Sequence, residues 1–433
     1  MAHPTQLAVR VCNAHRAFPR WALGFRSFAT HARSFLTGAC ATCAAPRSLN
    51  HINGGGVRGL SALLILEEVM KRIQHLENLE LTPSPHQYFD LIAGTGTGAV
   101  QACMLGRLRM PVHSAIESYT NLAKDAFSKR KWFGSGRFKT TKLKNSLVKI
   151  IRNATGNPEE PLIEDQKTRA HCKTVVFAMS RHDMRAGIPT AFRSYPAVAS
   201  EGPRCTIWET LCATMAHPDM FKSFDISGPM LKQSFVDAGL GCNNPLAHVL
   251  AEVKSLYPER HVSSVISIGT GHTRTIQIPD RSILRQLLPK ATIKAMKYIA
   301  EDAERVAQVI ARRFGSVDGI YFRLSVDQGL QSVEADKWDQ LSEVAEHTRA
   351  YMRTWEVKQT LDKAAEAVRL RRETVSTVQI GKVTFIYYRI SSSSSPTRRW
   401  RDPSRSGQHY CYIRDAPLPG SDARVHWLRA QAA

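Results

Sequence analysis

Two glycine clusters, each leading straight into helical periodicity, restrict what this chain can fold into more than any other feature of its sequence. The first, Asn53-Gly54-Gly55-Gly56-Val57-Arg58-Gly59, runs directly into Leu60, after which Leu63, Leu66, Val69, Met70 and Ile73 mark one helical face. The second, Gly94-Thr95-Gly96-Thr97-Gly98, follows Tyr88-Phe89-Asp90-Leu91-Ile92-Ala93, which reads as a buried strand, and continues into Ala99-Val100. A loop entering a helix and a strand turning tightly into a helix are the connections of layered α/β architecture. The same alternation of short apolar runs, glycine-rich turns and helical stretches continues from residue 49 to about 275.

These glycines have chemical consequences. Backbone N–H groups at the start of a helix lack intrahelical partners, and glycine lets a ligand approach them closely, so the 53–59 loop is suited to negative charge. Two readings follow from the residues alone. Gly54, Gly56 and Gly59 satisfy the dinucleotide pattern G-x-G-x-x-G, with Glu80 as the acidic residue further along. The same amides suit an oxyanion formed in acyl transfer. The second cluster has the spacing of a nucleophile elbow, G-x-S-x-G, with Gly96 at the centre and no side chain to attack a carbonyl. Taken alone, it also fits a flexible or phosphate-binding loop. A third segment, Phe235-Val236-Asp237-Ala238-Gly239, carries an aspartate that alone reads as a turn residue. It becomes a general base if the fold brings it within reach of a hydroxyl.

Together the three segments resemble the patatin-like phospholipase family, its fungal-type members in particular. That family has an Asp-Gly-Gly-Gly-x-Arg-Gly oxyanion loop, a Gly-x-Ser-x-Gly nucleophile and an Asp-Gly-Gly or Asp-Gly-Ala base. The likeness extends to Tyr88-Phe89-Asp90, Cys205-Thr206-Ile207-Trp208-Glu209, Asn243-Asn244-Pro245, Ser267-Ile268-Gly269-Thr270-Gly271 and Val326-Asp327-Gln328-Gly329-Leu330, and so covers residues 49–372. It implies an α/β fold with a central, mostly parallel sheet flanked by helices. It also implies acyl-hydrolase chemistry without calcium or another cofactor, and a glycerophospholipid or other acyl-ester substrate. By this resemblance Gly54, Gly55, Gly56, Val57, Arg58 and Gly59 form the oxyanion hole. Gly94, Thr95, Gly96, Thr97 and Gly98 form the elbow, and Asp237, Ala238 and Gly239 form the dyad motif, with Asp237 as general base.

The chain departs from the family at several of these positions. Gly96 stands where the nucleophilic serine belongs, Asn53 replaces the loop's aspartate, and Ala238 replaces a glycine. Ala213-Thr214-Met215-Ala216-His217-Pro218 differs from the family's Ala-Thr-Ser-Ala-Ala-Pro, and Arg47–Ile52 is more polar than a strand buried on both faces should be. The expectation is a lipid acyl hydrolase by descent with impaired catalysis. The alternatives are a lipid-binding or scaffolding pseudoenzyme and, further off, a nucleotide-binding α/β protein.

The net charge of +22 favours acidic partners, although residues 1–50 hold six arginines and no acid, and residues 382–433 nine basic against three acidic residues. More than half of the excess therefore lies at the two ends. Closer to the motifs, Lys129, Arg130, Lys131, Trp132 and Phe133 interleave cations with aromatics, a composition suited to anionic membrane. The amphipathic Leu143, Leu147, Ile150 and Ile151 follow, with lysines around them. No nucleic-acid recognition motif accompanies the charge. The nine cysteines have no repeating interval, and Cys40 and Cys43 have no second pair at zinc-ligand spacing, so reduced intracellular thiols and no metal are expected.

The expected organisation is a basic, acid-free extension over 1–48, disordered or a mitochondrial presequence, followed by a patatin-like core over 49–275. A helix-rich part of the same globule covers 276–372, and a basic low-complexity tail covers 373–433. No apolar run is long enough to span a bilayer, so membrane contact is expected to be peripheral and the location cytoplasmic or at a membrane surface.

Overall fold

The computed structural model describes residues 46–133, 136–164, 172–183, 188–197, 203–228, 231–271, 303–372 and 374–380. Of the expected extension over 1–48, residues 1–45 lie outside these residues, as do the Cys40/Cys43 pair and the tail from 381, whereas Arg47 and Ser48 open the first strand.

Strand β1 (Arg47–Ile52) is the middle of the sheet and runs parallel to both β2 (Leu91–Thr95) and β7 (His261–Ile268). Outward from these, β3 (Lys173–Ser180) pairs parallel with β2, and β8 (Tyr321–Leu324) pairs parallel with β7. Antiparallel strands close the β3 side: β4 (Thr190–Arg193) and β6 (Lys232–Asp237) both pair with β3, and β5 (Phe224–Ser227) pairs with β6. On the other side β9 (Val375–Ser376), from the segment read as tail, pairs antiparallel with β7. The sheet is thus the mostly parallel one expected.

Helices cover both faces, and strand residues alternate between two apolar clusters as the period of two requires. Ile92 and Val176 face the cluster containing α1 (Leu60–Glu77), while Leu91, Ala93, Val175 and Phe177 face the cluster containing α7 (Leu246–Leu256). Helix α1 buries Leu63, Leu66, Val69, Met70 and Ile73, the face marked by the sequence period. Among the described residues the remaining helices are α2 (Gly96–Ala102), α3 (Val112–Phe127), α4 (Thr140–Thr155), α5 (Ile207–Thr214), the single turn α6 (Gly239–Cys242), α8 (Ala303–Phe314), α9 (Leu341–Arg353), α10 (Trp355–Leu370) and the single turn α11 (Thr377–Ile380).

Polar as it is, β1 is buried almost throughout. Its first residues are matched: Ser48 donates its amide to Asp90 Oδ2 at 2.8 Å, and Asp90 is also ion-paired with Arg47 at 2.8 Å and Arg371 at 3.4 Å. Further along, both polar atoms of the Asn50 side chain and Nε2 of His51 have no hydrogen-bond partner among the described residues. Burial, with Arg323 nearby, pulls the His51 pKa down from 6.5 to about 3, and burial takes His248 on α7 to about 4.

Two outcomes follow. Asn50→Leu, close in shape, removes an unmatched amide and should raise stability by about 1–3 kcal/mol in urea titrations. For His51 the folded pKa lies below the unfolded one, so its stabilising contribution is complete above pH 6.5 and is lost as pH falls toward 3. The loss should approach about 1.4 kcal/mol per pH unit for one such histidine. The dependence of the unfolding midpoints on pH should be reduced across that range in His51→Leu, leaving the contribution of His248, which levels off near pH 4.

Candidate functional site

The carboxyl ends of β1 and β2 meet three loops around a cavity of about 360 Å³. Gly54, Gly55, Gly56, Arg58, Thr97, His217, Asp237, Gly239 and Asn243 contribute to its polar part, and Phe127, Met215, Met220, Phe221 and Val333 give it an apolar wall.

The elbow is set by Gly96. Strand β2 ends at Thr95 in extended conformation, and Gly96 then takes φ +52° before helix α2 continues. That left-handed turn disfavours a side chain, as a strained nucleophile elbow does. The neighbouring register brings in the carboxylate: Thr95 pairs with Phe177 across β2 and β3, and Ala178 pairs with Asp237 across β3 and β6. Residues 96 and 237 consequently lie at one level of the sheet. A Cβ on Gly96 would stand 3.3 Å from both oxygens of Asp237. The Gly239 amide donates to Asp237 Oδ1 at 2.8 Å and helps fix the carboxylate.

Thr214, at the end of α5, locks the elbow from behind. Its Oγ1 accepts the Gly96 amide at 2.9 Å and donates to Phe177 O at 2.6 Å. The next residues, Met215 and His217, line the cavity where the family pattern has smaller ones.

The glycine loop lies against the elbow, and several of its amides are already engaged. Gly54 N and Gly55 N donate to Thr95 Oγ1 and Thr97 Oγ1, each at 3.2 Å, and Val57 N donates to Ala335 O at 2.8 Å. Tyr119 caps the loop by donating to Gly56 O, and Thr270 Oγ1 donates to Gly54 O at 3.0 Å. Thr95 and Thr97, the hydroxyls beside position 96, therefore hold the loop together. Asn53 does what an aspartate could not. Its Nδ2 donates to Asn243 O at 2.8 Å, and its Oδ1 accepts Arg323 at 2.7 Å. Arg323 also reaches Ser267 at 3.0 Å and Glu304 at 3.1 Å, so the network joins the glycine loop to β8 and α8.

The acidic residue of the dinucleotide pattern is out of reach of the glycine loop. Glu80 is exposed beyond the far end of the 18-residue α1. At the usual helical rise that end lies about 27 Å from the glycine loop, too far to share a ligand with it.

The basic segment divides in two. Lys129 and Arg130 are exposed, as are Trp132 and Phe133 at 93% and 90%. Helix α4, by contrast, buries Leu143, Leu147 and Ile151 in the core, and Lys144 lies 3.7 Å over the Trp208 ring. Its amphipathic pattern is thus a core face, and the exposed cations and aromatics lie in the segment before it. No helix among the described residues is long and apolar enough to cross a membrane.

An elbow with a left-handed turn, a carboxylate facing it and a glycine loop alongside thus share one cavity. Residues 52–250, a little under half of the chain, match the family described as patatin-like phospholipase, so the chain carries a domain similar to that family. Calcium-independent phospholipase A2-gamma of Mus musculus is 33% identical over 232 residues, covering 51% of this chain and 28% of that protein. The protein of the same name in Homo sapiens is 31% identical with the same coverage. Probable inactive patatin-like protein 9 of Arabidopsis thaliana is 27% identical over 258 residues, covering 54% of this chain and 63% of the plant protein. The chain thus spans less than a third of the mammalian relatives.

The facing of 96 and 237 can be measured without any activity. Gly96→Ala should lower stability by about 1–2 kcal/mol, because the turn is left-handed and alanine gains no bond there. Gly96→Ser should lose less, since its hydroxyl can donate to Asp237. Equal losses in chemical denaturation, or a tolerated alanine, would place the carboxylate elsewhere in solution.

Proposed function

We propose that this domain takes a glycerophospholipid or other acyl-ester lipid into the cavity beside Asp237 and hydrolyses it poorly or not at all, because residue 96 has no hydroxyl. The observation that carries this reading is the 3.3 Å approach of both Asp237 oxygens to the place where a Cβ at position 96 would stand. In an active site of this design the serine attacks the carbonyl, Asp237 takes its proton, and amides of the Gly54–Gly59 loop receive the oxyanion. Without the hydroxyl the first step has no nucleophile. Removing the nucleophile of another serine hydrolase costs about 2 × 10⁶ in kcat, which takes a typical ~10 s⁻¹ enzyme to on the order of one turnover in days. Lipid binding loses much less, since the apolar wall of Phe127, Met220, Phe221 and Val333 is in place.

The relatives support both halves of the reading. Two are named calcium-independent phospholipases, and another is named as probably inactive. We place Lys129, Arg130, Lys131, Trp132 and Phe133 against the headgroups of an anionic membrane, with the protein peripheral. Cations there meet the phosphates, and the two exposed rings enter the interface. Binding to acidic vesicles should then weaken as salt rises, and more so when Lys129, Lys131 and Trp132 are replaced.

The decisive experiment is hydrolysis of a short-chain ester. The protein with Gly96 should be inert. Gly96→Ser should gain activity that is lost again on adding Asp237→Ala. Hydrolysis by the unaltered protein that survives Asp237→Ala would refute the assignment of the base. A folded Gly96→Ser protein that binds lipid yet stays inert would favour the lipid-binding reading, with the engaged amides of the glycine loop and the larger Met215 and His217 as physical reasons.

A further inference from the structure

The cavity beside Asp237 is bordered on one side by Gln331–Asp336, a segment distant in sequence from the glycine loop. Ala335 O accepts the Val57 amide at 2.8 Å, and any side chain at Gly56 would run into Ala335, so the segment lies directly on the loop. The adjoining Asp336 side chain is 1% exposed, and its Oδ2 meets Arg137 at 3.0 Å and Arg130 at 3.3 Å. Both arginines belong to the cationic, aromatic surface. Arg130 bridges to Phe138, and Lys131 N donates to Arg137 O at 2.7 Å, which leaves Trp132 and Phe133 projecting between them. The guanidinium-bearing side chains remain 57% and 41% exposed, so a ligand can reach them from solvent while Asp336 holds them from within.

We propose that Gln331–Asp336 is a strap that closes the glycine loop, and that an anionic lipid surface releases it by drawing Arg130 and Arg137 away from Asp336. This rests on the membrane contact proposed above and adds what that contact does to the cavity. The physical step is competition for charge. A phosphate-rich interface offers two guanidinium groups several acceptors in place of one carboxylate oxygen, and arginine suits phosphate through its planar fork. Asp336 cannot then remain where it is, because a buried carboxylate stripped of its ion pairs is strongly unfavourable. It moves toward water, and Ala335, one residue away, leaves the Val57 amide. The freed amide lies on the anion-receiving loop. The lipid surface that supplies the ligand thereby also frees an amide to receive its charge, an amide that stays engaged in solution.

Hydrogen exchange of the Val57 amide reads the strap directly, independently of hydrolysis. In phosphatidylcholine vesicles alone the amide should remain as protected as in buffer. With phosphatidylglycerol added it should exchange about tenfold faster or more, while the β2 amides stay protected and show the fold intact. Asp336→Asn should produce the same fast exchange in buffer, without vesicles. A protein that sediments with phosphatidylglycerol vesicles while Val57 stays fully protected overturns the release, and an Asp336→Asn protein with unchanged Val57 exchange overturns the latch. If the protein does not sediment with phosphatidylglycerol at all, the membrane contact falls and the lipid trigger with it, and the Asp336→Asn exchange still decides whether Asp336 holds the strap.

Discussion

The close approach of Asp237 to position 96 rests on two strand registers agreeing with one left-handed turn. Thr95 opposite Phe177 and Ala178 opposite Asp237 bring the end of β6 level with the end of β2. The turn at Gly96 then presents residue 96 toward the carboxylate, and Thr214 ties that turn to β3 through the Gly96 amide and the Phe177 carbonyl. A slip of one residue in either register would send the carboxylate to the other face of the sheet. The sheet therefore does the positioning, and the loops need only be short and tightly bonded to keep it.

Much of this arrangement was legible because each motif has a local physical signature. Glycines before a periodic apolar face announced the entry to α1, and a strand running into small residues announced the elbow. The contacts that finish the site have no such signature. Val57 meets Ala335 and Arg130 meets Asp336 across more than two hundred residues, and nothing near either partner in sequence marks it. The threonines of the elbow were visible as flanking hydroxyls, but their bonds to Gly54 and Gly55 depend on how closely two loops stack. Helix α4 shows the limit of periodicity: Leu143, Leu147 and Ile151 make the same stripe whether the partner is a core or a membrane, and only packing against α3 and α5 decides it. Asn53 was read as a departure from the family pattern, whereas its side-chain amide bonds in two directions and joins three segments of the chain.

The geometry of the site does not depend on a side chain at position 96. Position 96 contributes a backbone conformation and an amide, both of which glycine supplies without strain. Asp237 is held by its own loop through Gly239, and the glycine loop is held by Thr95, Thr97, Tyr119 and Thr270. None of these contacts requires a side chain at 96. The shape of the cavity is thus set independently of what residue 96 carries.

The middle strand carries a consequence for where such a protein can work. Asn50 and His51 sit at the centre of the sheet, flanked by β2 and β7, where a change in one strand is felt by both neighbours. A strand that favours the neutral imidazole keeps its full contribution near neutral pH and gives up part of it in an acidic surrounding, so acidification draws on the stability of this fold at the middle of its sheet.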